Sequence, residues 1–114
     1  MITLINCFEV PAEREEDFFR GFQKVNAYMR AKNGYVSHKM HRSLAPDARF
    51  RFVNVVQWAS REACEAAHDA GFRELIAQPG LANISSTPAL YEVVHEAAAV
   101  TSRIACQRLK LDPS

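Results

Sequence analysis

A chain of 114 residues with 24% charged residues and a net charge of +1 is long enough for one domain with a buried core. Its 14 lysines and arginines are spread along the sequence, which argues against a nucleic-acid-binding protein. The first nine residues show neither the basic start nor the apolar run of a signal peptide. We therefore expect a cytoplasmic protein that is neither secreted nor inserted in a membrane.

The first predicted elements are a strand over residues 2–9 and a helix that follows Pro11. Period-2 alternation gives the strand one apolar face that is interrupted by an asparagine, with the members Ile2, Leu4, Asn6 and Phe8. The helix begins with acidic residues, as the helix dipole favours, and Asn33-Gly34 is suited to end it. Its apolar stripe steps by three and four residues and contains Phe18, Phe22, Val25 and Met29.

Two further strands, over residues 35–42 and 49–58, are separated by a turn-forming loop at 43–48, which predicts a hairpin. The strand at 49–58 resembles the strand at 2–9, because an asparagine again stands on an otherwise apolar face. The members of that face are Phe50, Phe52, Asn54, Val56 and Trp58.

A second helical region follows Ser60, which we expect to cap it, and Gly71 is expected to interrupt it. A fourth strand is predicted over residues 89–95, after a polar loop at 83–87. Residues 96–114 form a C-terminal tail with a short helix. The sequence thus predicts one domain over residues 1–95 followed by this tail.

The order β-α-β-β-α-β indicates the α+β ferredoxin-like fold, a four-stranded antiparallel sheet with both helices on one face. Strands one and three are the central pair in that topology, so Asn6 and Asn54 should lie side by side beneath the helices. The opposite face is far from fully polar and needs covering, and its members are Thr3, Ile5, Cys7, Arg51, Val53 and Val55. We expect a homodimer through this sheet face.

The three cysteines, Cys7, Cys64 and Cys106, are widely spaced. They form no CxxC motif and no Cys/His pair at metal-ligand spacing. Reduced thiols in a cytoplasm are the simplest interpretation, and no metal site is expected.

Four segments of the chain, FVNVVQW, ASREACEAA, PAEREEDFF and the run NGYVS at 33–37, resemble the antibiotic biosynthesis monooxygenase family. The resemblance covers roughly residues 2–95. It implies a dimeric α+β barrel, in which two ferredoxin-like units join through their sheets. It does not settle the chemistry, because the family includes cofactor-free quinone-forming monooxygenases, quinol monooxygenases and haem-degrading enzymes.

The polyketide-anthrone oxygenases of this family build their site around N-x-x-x-W on the third strand, which here is Asn54 and Trp58. They also use polar residues on the second strand and an arginine in the second helical region, and this implies roles for His41 and Arg73. A tyrosine expected six residues after the tryptophan is replaced by Cys64. The resemblance implies Asn54, Trp58 and His41 as catalytic residues, with a small aromatic substrate, molecular oxygen and no cofactor.

The base for such chemistry is left open between His38, His41 and His68, because imidazole side chains suit proton abstraction near neutral pH. Strand alternation favours His38 on the inner face, whereas the resemblance favours His41, and a bulge would decide between them. We expect Asn6, His38, His68, Arg73 and Phe22 to contact the substrate.

Each site residue also has a purely structural interpretation. A buried asparagine such as Asn54 commonly bonds backbone, and Trp58 could simply anchor the core. If both act in catalysis, the Asn54 amide and the Trp58 indole N–H would donate to a developing oxyanion.

Two other functions stay open. Haem degradation in this family uses an asparagine on the first strand with a tryptophan and a histidine in the second helical region. Asn6 matches the asparagine, but Ala67 and Ile76 stand near the other two positions, so haem degradation is disfavoured. The other alternative is a non-catalytic stress-response domain that binds a small apolar ligand.

Overall fold

The computed structural model describes residues 1–100 and contains four strands and three α-helices within that range. The strands are β1 (Ile2–Glu9), β2 (Tyr35–Arg42), β3 (Phe52–Trp58) and β4 (Ser85–Tyr91). The helices are α1 (Glu15–Met29), preceded by a 3-10 turn at Ala12–Arg14, then α2 (Arg61–Ala67) and α3 (Ala70–Ile76). The strands form one antiparallel sheet in the order β2-β3-β1-β4. This is the α+β ferredoxin-like arrangement that the sequence predicts.

The hydrophobic core lies between the helices and one face of the sheet. Alternate residues of β3 are buried there, while Val53, Val55 and Gln57 point to the other face. One core cluster joins α1, β3 and α2 and consists of Val25, Met29, Val56, Trp58, Cys64 and Ala67. A second cluster holds three aromatic rings, with ring centroids 5.0 Å apart between Phe18 and Phe52, and consists of Val10, Phe18, Phe22 and Phe52.

The central pair of strands is β1 and β3, and the register places Asn6 directly opposite Asn54. The predicted neighbourhood of the two asparagines is therefore confirmed. On the outer face, Thr3 donates a hydrogen bond to the Gln57 side-chain oxygen over 2.9 Å. The apolar outer residues Ile5 and Val55 are half-buried in the single chain.

Two predicted strand boundaries are wrong. Residues 49–51 belong to the connecting loop rather than to β3, and Arg51 donates there to the Ser43 carbonyl oxygen over 2.8 Å. The fourth strand occupies Ser85–Tyr91 rather than 89–95, so residues 85–87 of the predicted polar loop belong to it. The reason is its place at the edge of the sheet, where six of seven residues are exposed and Pro88 is tolerated.

The predicted helix in the tail is not seen where the structure can test it. Residues 92–99 have no regular secondary structure, and residue 100 is a bend. Residues 101–114, which include most of the predicted helix and Cys106, lie outside the described residues. Among residues 1–100, no helix combines the length and the apolar character needed to span a membrane.

The second helical region breaks at His68 and Asp69, not at Gly71. Ser60 caps α2 as predicted, since its hydroxyl oxygen accepts from the Ala63 N–H over 3.1 Å. Asp69 then caps α3 by accepting from the Phe72 N–H over 3.0 Å. The segment divides into two short helices because His68 has a non-helical conformation and Asp69 caps a new helix directly after it.

Asp69 also connects α3 to α1. Its carboxylate accepts from the Tyr28 hydroxyl at 2.8 Å and pairs with the Lys32 ammonium at 2.7 Å. The Lys32 bond, followed by those from the Phe72 amide and Tyr28, lowers the pKa of Asp69 below its ordinary range. Conversely, the bond to Asp69 raises the pKa of Lys32. A charged cap therefore holds the helix break against α1.

Gly71 is required by packing inside α3, because an added Cβ would overlap the Tyr28 hydroxyl oxygen and lie 2.8 Å from Cζ of that ring. Replacing glycine by alanine within a helix ordinarily stabilises a protein by about 1 kcal/mol. We predict the opposite sign for Gly71→Ala, measured as the free energy of unfolding in urea. In a Tyr28→Ala background the same substitution should become stabilising, and a stabilising effect in the wild-type background would contradict the packing argument.

The charge of Asp69 should make stability depend on pH. Because its pKa is lower in the folded than in the unfolded chain, its contribution is complete above the unfolded value of about 3.9 and declines as the pH falls below it. Asp69→Asn keeps a capping side chain but removes the charge. We predict a smaller loss of thermal stability between pH 6 and pH 3 in this variant than in the wild type. Asp47→Asn, at an exposed loop position, is the matched control; equal slopes in all three proteins would contradict the prediction.

Candidate functional site

A cavity of about 320 Å³ lies between the inner face of β1 and β3 and the helices α1 and α3. This volume is at the lower end of the range for pockets that bind small organic molecules. The apolar walls come from α1, the sheet and α3, and include Phe18, Phe22, Leu4, Val56 and Phe72. Polar groups interrupt these walls at Asn6, Asn26, Tyr35, Asn54, Trp58, His68, Asn83 and Ser86. The cavity is therefore suited to an apolar ligand with a few hydrogen-bonding groups.

Asn54 lies on the cavity wall with 8% of its surface exposed, and its side chain is held from β2. Its Oδ1 atom is 3.0 Å from Nδ1 of His38. With that oxygen as the acceptor, His38 donates, and the Asn54 amide N–H₂ group is the remaining donor of the side chain. His38 is thus a residue that orients Asn54.

The register of β2 on β3, which is continuous from Ser37 to Arg42 after an irregularity at Tyr35, decides which histidine faces inward. It places Tyr35 and His38 on the inner face, where Tyr35 pairs with Trp58 and His38 with Val56. His41 pairs with Val53 on the outer face, is exposed, and contacts the Val53 carbonyl oxygen through Nδ1 at 3.3 Å. The alternation of the strand therefore agrees with the structure, and the resemblance-based placement of His41 at the cavity does not.

Trp58 is almost completely buried, with 1% of its surface exposed. Its ring stacks edge to face with Tyr35, at a centroid distance of 5.4 Å and an interplanar angle of 84°. Its indole Nε1–H is buried and has no hydrogen-bond partner among the described residues. A buried, unsatisfied donor costs about 1–3 kcal/mol, so a ligand acceptor at this point would relieve a real deficit.

Asn6, in the same cavity, carries a buried hydrogen-bond acceptor that is unsatisfied within residues 1–100. Its Oδ1 atom is buried and has no donor within residues 1–100. The cavity thus offers one unsatisfied acceptor on β1 and one unsatisfied donor on β3. A ligand that carries both a hydroxyl and a carbonyl or phenolate oxygen would match this pair.

His68 reaches the cavity because it lies at the break between α2 and α3. Its Nδ1 atom is 2.7 Å from the Cys64 carbonyl oxygen. A carbonyl can only accept, so Nδ1 carries the proton and Nε2 is the unprotonated nitrogen of the neutral ring. The ring packs edge to face with Phe72 at 4.6 Å and lies 6.1 Å from Trp58, both between centroids.

Cys64, which stands where the resemblance expects a tyrosine, is buried in the core. Burial raises the pKa of its thiol, and the neighbouring Glu65 carboxylate adds to this effect. The thiol is therefore protonated at neutral pH, and nothing at this position suits a nucleophile. A tyrosine hydroxyl that does reach the cavity is that of Tyr35, which donates to the Asn26 side-chain oxygen over 2.9 Å. Burial raises the pKa of Tyr35 as well.

Five of the eight predicted site residues meet at the cavity. They are Asn6, Phe22, Asn54, Trp58 and His68. His38 contacts Asn54 rather than the cavity itself. His41 and Arg73 lie outside; the exposed Arg73 donates to the His68 carbonyl oxygen over 3.1 Å.

Four polar lining residues were missed by sequence reasoning, namely Asn26, Tyr35, Asn83 and Ser86. The sequence offers only weak signals for two of these residues. Tyr35 directly follows Gly34, whose φ of 86° marks a tight turn, and Asn83 has a φ of 65° in the loop before β4. Within residues 1–100 no group of three His, Cys, Asp or Glu side chains could hold a metal ion.

Solved structures share this fold. A proposed monooxygenase from Shewanella loihica PV-4 is 28% identical, with a TM-score of 0.69 over 83% of this chain and 95% of that one. SnoaB, a cofactor-independent oxygenase from Streptomyces nogalater, is 23% identical, with a TM-score of 0.71 over 83% and 94%. A proposed antibiotic biosynthesis monooxygenase from Deinococcus radiodurans is 16% identical, with a TM-score of 0.70 over 89% and 99%.

No curated protein sequence matches the chain significantly. The profile of the family described as antibiotic biosynthesis monooxygenase, in contrast, matches residues 1–78. That segment contains β1 to α3 and thus most of the residues that line the cavity. Since the match covers well over half of the sequence, the chain belongs to the antibiotic biosynthesis monooxygenase family.

Proposed function

We propose that the protein is a cofactor-independent monooxygenase that oxidises a small aromatic, quinol-like or anthrone-like substrate with molecular oxygen in the cavity between sheet and helices. The observation that carries this proposal is the buried indole N–H of Trp58, which has no hydrogen-bond partner within residues 1–100 and lies in a largely apolar cavity. Membership of the family and the shared fold of SnoaB, which is a cofactor-independent oxygenase, support it.

The chemistry requires an anion that can pass an electron to oxygen. Loss of a proton from an electron-rich phenol or anthrone gives such an anion, and its reaction with O₂ gives a hydroperoxide. Cleavage of the O–O bond then releases water and leaves one oxygen atom in the product as a carbonyl. The protein contributes by stabilising the anion, and a dry cavity strengthens each hydrogen bond that does so.

Asn54 and Trp58 are the donors in this proposal. They are four residues apart on β3, which is about 13 Å along an extended strand, so one oxygen atom cannot lie close to both backbones. Their side chains would contact different parts of a flat substrate with more than one ring. The Trp58 N–H would stabilise the oxyanion, and the Asn54 amide, oriented by His38, would donate at the far end. His41 and Arg73 have no part in the proposal, because both lie outside the cavity.

The active form is proposed to be a homodimer through the outer sheet face. The half-buried, apolar residues Ile5, Cys7, Val53 and Val55 are the support for this partner. Sedimentation at tens of micromolar protein should show twice the mass of the chain, whereas Val55→Asp should shift the protein towards monomer. A monomeric wild type under these conditions would contradict the proposal.

Oxygen consumption by the purified protein, free of metal and haem, tests the proposed reaction with a panel of anthrones and hydroquinones. We predict that Asn54→Ala and Trp58→Phe lower turnover by about ten- to a thousandfold, since each removes one donor to the developing anion. Trp58→Phe keeps a ring in the core and removes the N–H. Asn33→Ala, at an exposed position outside the cavity, is the control for asparagine removal and should keep full activity.

The outcome separates the proposal from its alternatives. Turnover that persists in both variants would contradict the role of these donors. No oxygen uptake across the panel, combined with a higher melting temperature in the presence of the same compounds, would indicate a ligand-binding domain. A shifted Soret band on addition of hemin would instead indicate haem binding.

A further inference from the structure

His68 lies between α2 and α3, outside the regular helix pattern, and lines the cavity. It follows the last residue of α2, and its φ of −83° and ψ of 64° are not helical. Asp69 begins a new helix directly after it, and Arg73 from α3 donates to the His68 carbonyl oxygen over 3.1 Å. The backbone of His68 is thus held from both sides, which fixes where the ring points.

We propose that His68 is the catalytic base, and that its Nε2 atom accepts the proton whose loss generates the substrate anion. This inference rests on the proposed function and deepens it. The family resemblance assigns the role of catalytic base to no residue in the second helical region of the chain. The carbonyl of Cys64 holds the proton on Nδ1 at 2.7 Å and leaves Nε2 free to accept. The imidazole is therefore oriented before substrate arrives.

Elimination among the cavity walls supports the assignment. The lining residues of the described chain include no Asp, Glu, Lys or Arg. Tyr35 titrates, but burial raises its pKa and its hydroxyl donates to Asn26. The asparagine amides are not basic. His68 is left as the lining side chain within residues 1–100 that carries an imidazole nitrogen able to accept a proton from the substrate.

The charged and titratable groups beside His68 within residues 1–100 are Cys64, Asp69 and Arg73, and the Arg73 guanidinium is bonded to the His68 carbonyl oxygen. Asp69, the next residue, is turned to Lys32 and Tyr28 of α1. The Cys64 thiol, with Sγ 4.0 Å from Nδ1, stays neutral because burial raises its pKa. Trp58 and Phe72 are the aromatic neighbours of the ring. No carboxylate among these groups would compete with the substrate for a protonated His68.

The proton transfer balances without any additional reactant. The C–H or O–H bond of the substrate breaks, its electron pair stays on the substrate, and a new N–H bond forms at Nε2. The resulting imidazolium and the substrate anion then lie in one cavity with the Trp58 N–H. Oxygen adds to the anion to give a peroxide anion, which takes the proton back from Nε2 and becomes the hydroperoxide. Loss of the remaining hydrogen of the oxidised carbon to Nε2 then forms the carbonyl and breaks the O–O bond. The released hydroxide takes that proton and leaves as water.

The first experiment measures the proton transfer without turnover. The probe is 2-hydroxyanthraquinone, whose neutral and ionised forms differ in visible absorption, at a pH below its own ionisation. Bound to the wild type, the probe should show the ionised spectrum. Bound to His68→Asn, whose amide can still donate to the Cys64 carbonyl, it should show the neutral spectrum. His95→Gln, an exposed position after β4, is the matched histidine control and should behave as the wild type.

A neutral spectrum in the wild type, an ionised spectrum in His68→Asn, or absence of binding would overturn the proposal. Circular dichroism and melting temperature check that each variant is folded. If His68→Asn does not fold, His68→Gln replaces it in the same measurement.

The second experiment measures turnover with any substrate of the panel that the wild type oxidises. His68→Asn should lower kcat by about a hundredfold or more, with KM within about threefold, and added imidazole should restore part of the rate. Full activity in His68→Asn would overturn the role of His68 and leave the proposed function standing. A wild type that oxidises nothing would contradict the proposed function, while the spectrum of the bound probe would still decide the role of His68.

Discussion

The register between β1 and β3 decides which side chains meet beneath the helices. Asn6 lies opposite Asn54, and Ile2 lies opposite Trp58. The two inward-facing asparagines of the sheet therefore line the same apolar cavity. A shift of one residue would turn the whole inner set of one strand outwards, because side chains alternate between the two faces. The buried rings of Phe52 and Trp58 at the two ends of β3 hold this register, since either would be exposed by such a shift.

Much of this arrangement can be read from the sequence, because two periodicities express it directly. The inner face of β3 alternates without error from Phe52 to Trp58, and the stripe of α1 steps from Phe18 to Met29 as a helix requires. Both patterns exist because one face of each element is buried. The order of the elements and the topology follow from these patterns, and so does the pairing of Asn6 with Asn54.

The parts that could not be predicted are those where burial imposes no period. β4 is an exposed edge strand, and its polar residues and Pro88 give it a sequence pattern that is typical of a loop. The helix break was assigned to Gly71 by propensity, but the cap supplied by Asp69 and its tertiary contacts with α1 decide the position. The sequence predicts His68 at the substrate, but the packing of its ring against Phe72 and Trp58 depends on that break and could not be predicted. The misplaced His41 shows the same limit, since a resemblance carries residue type across a hairpin more reliably than it carries strand parity.

The irregularities of the two edge strands also bear on how copies of the protein can associate. An open sheet edge is a template on which a strand of another molecule can add, and unchecked addition produces aggregates. Here β2 carries a register irregularity near Val36, and β4 lacks one amide donor at Pro88. Both edges are thus poor templates for further strands. Growth of the sheet sideways is discouraged, and this favours a discrete assembly over a polymer for the proposed homodimer.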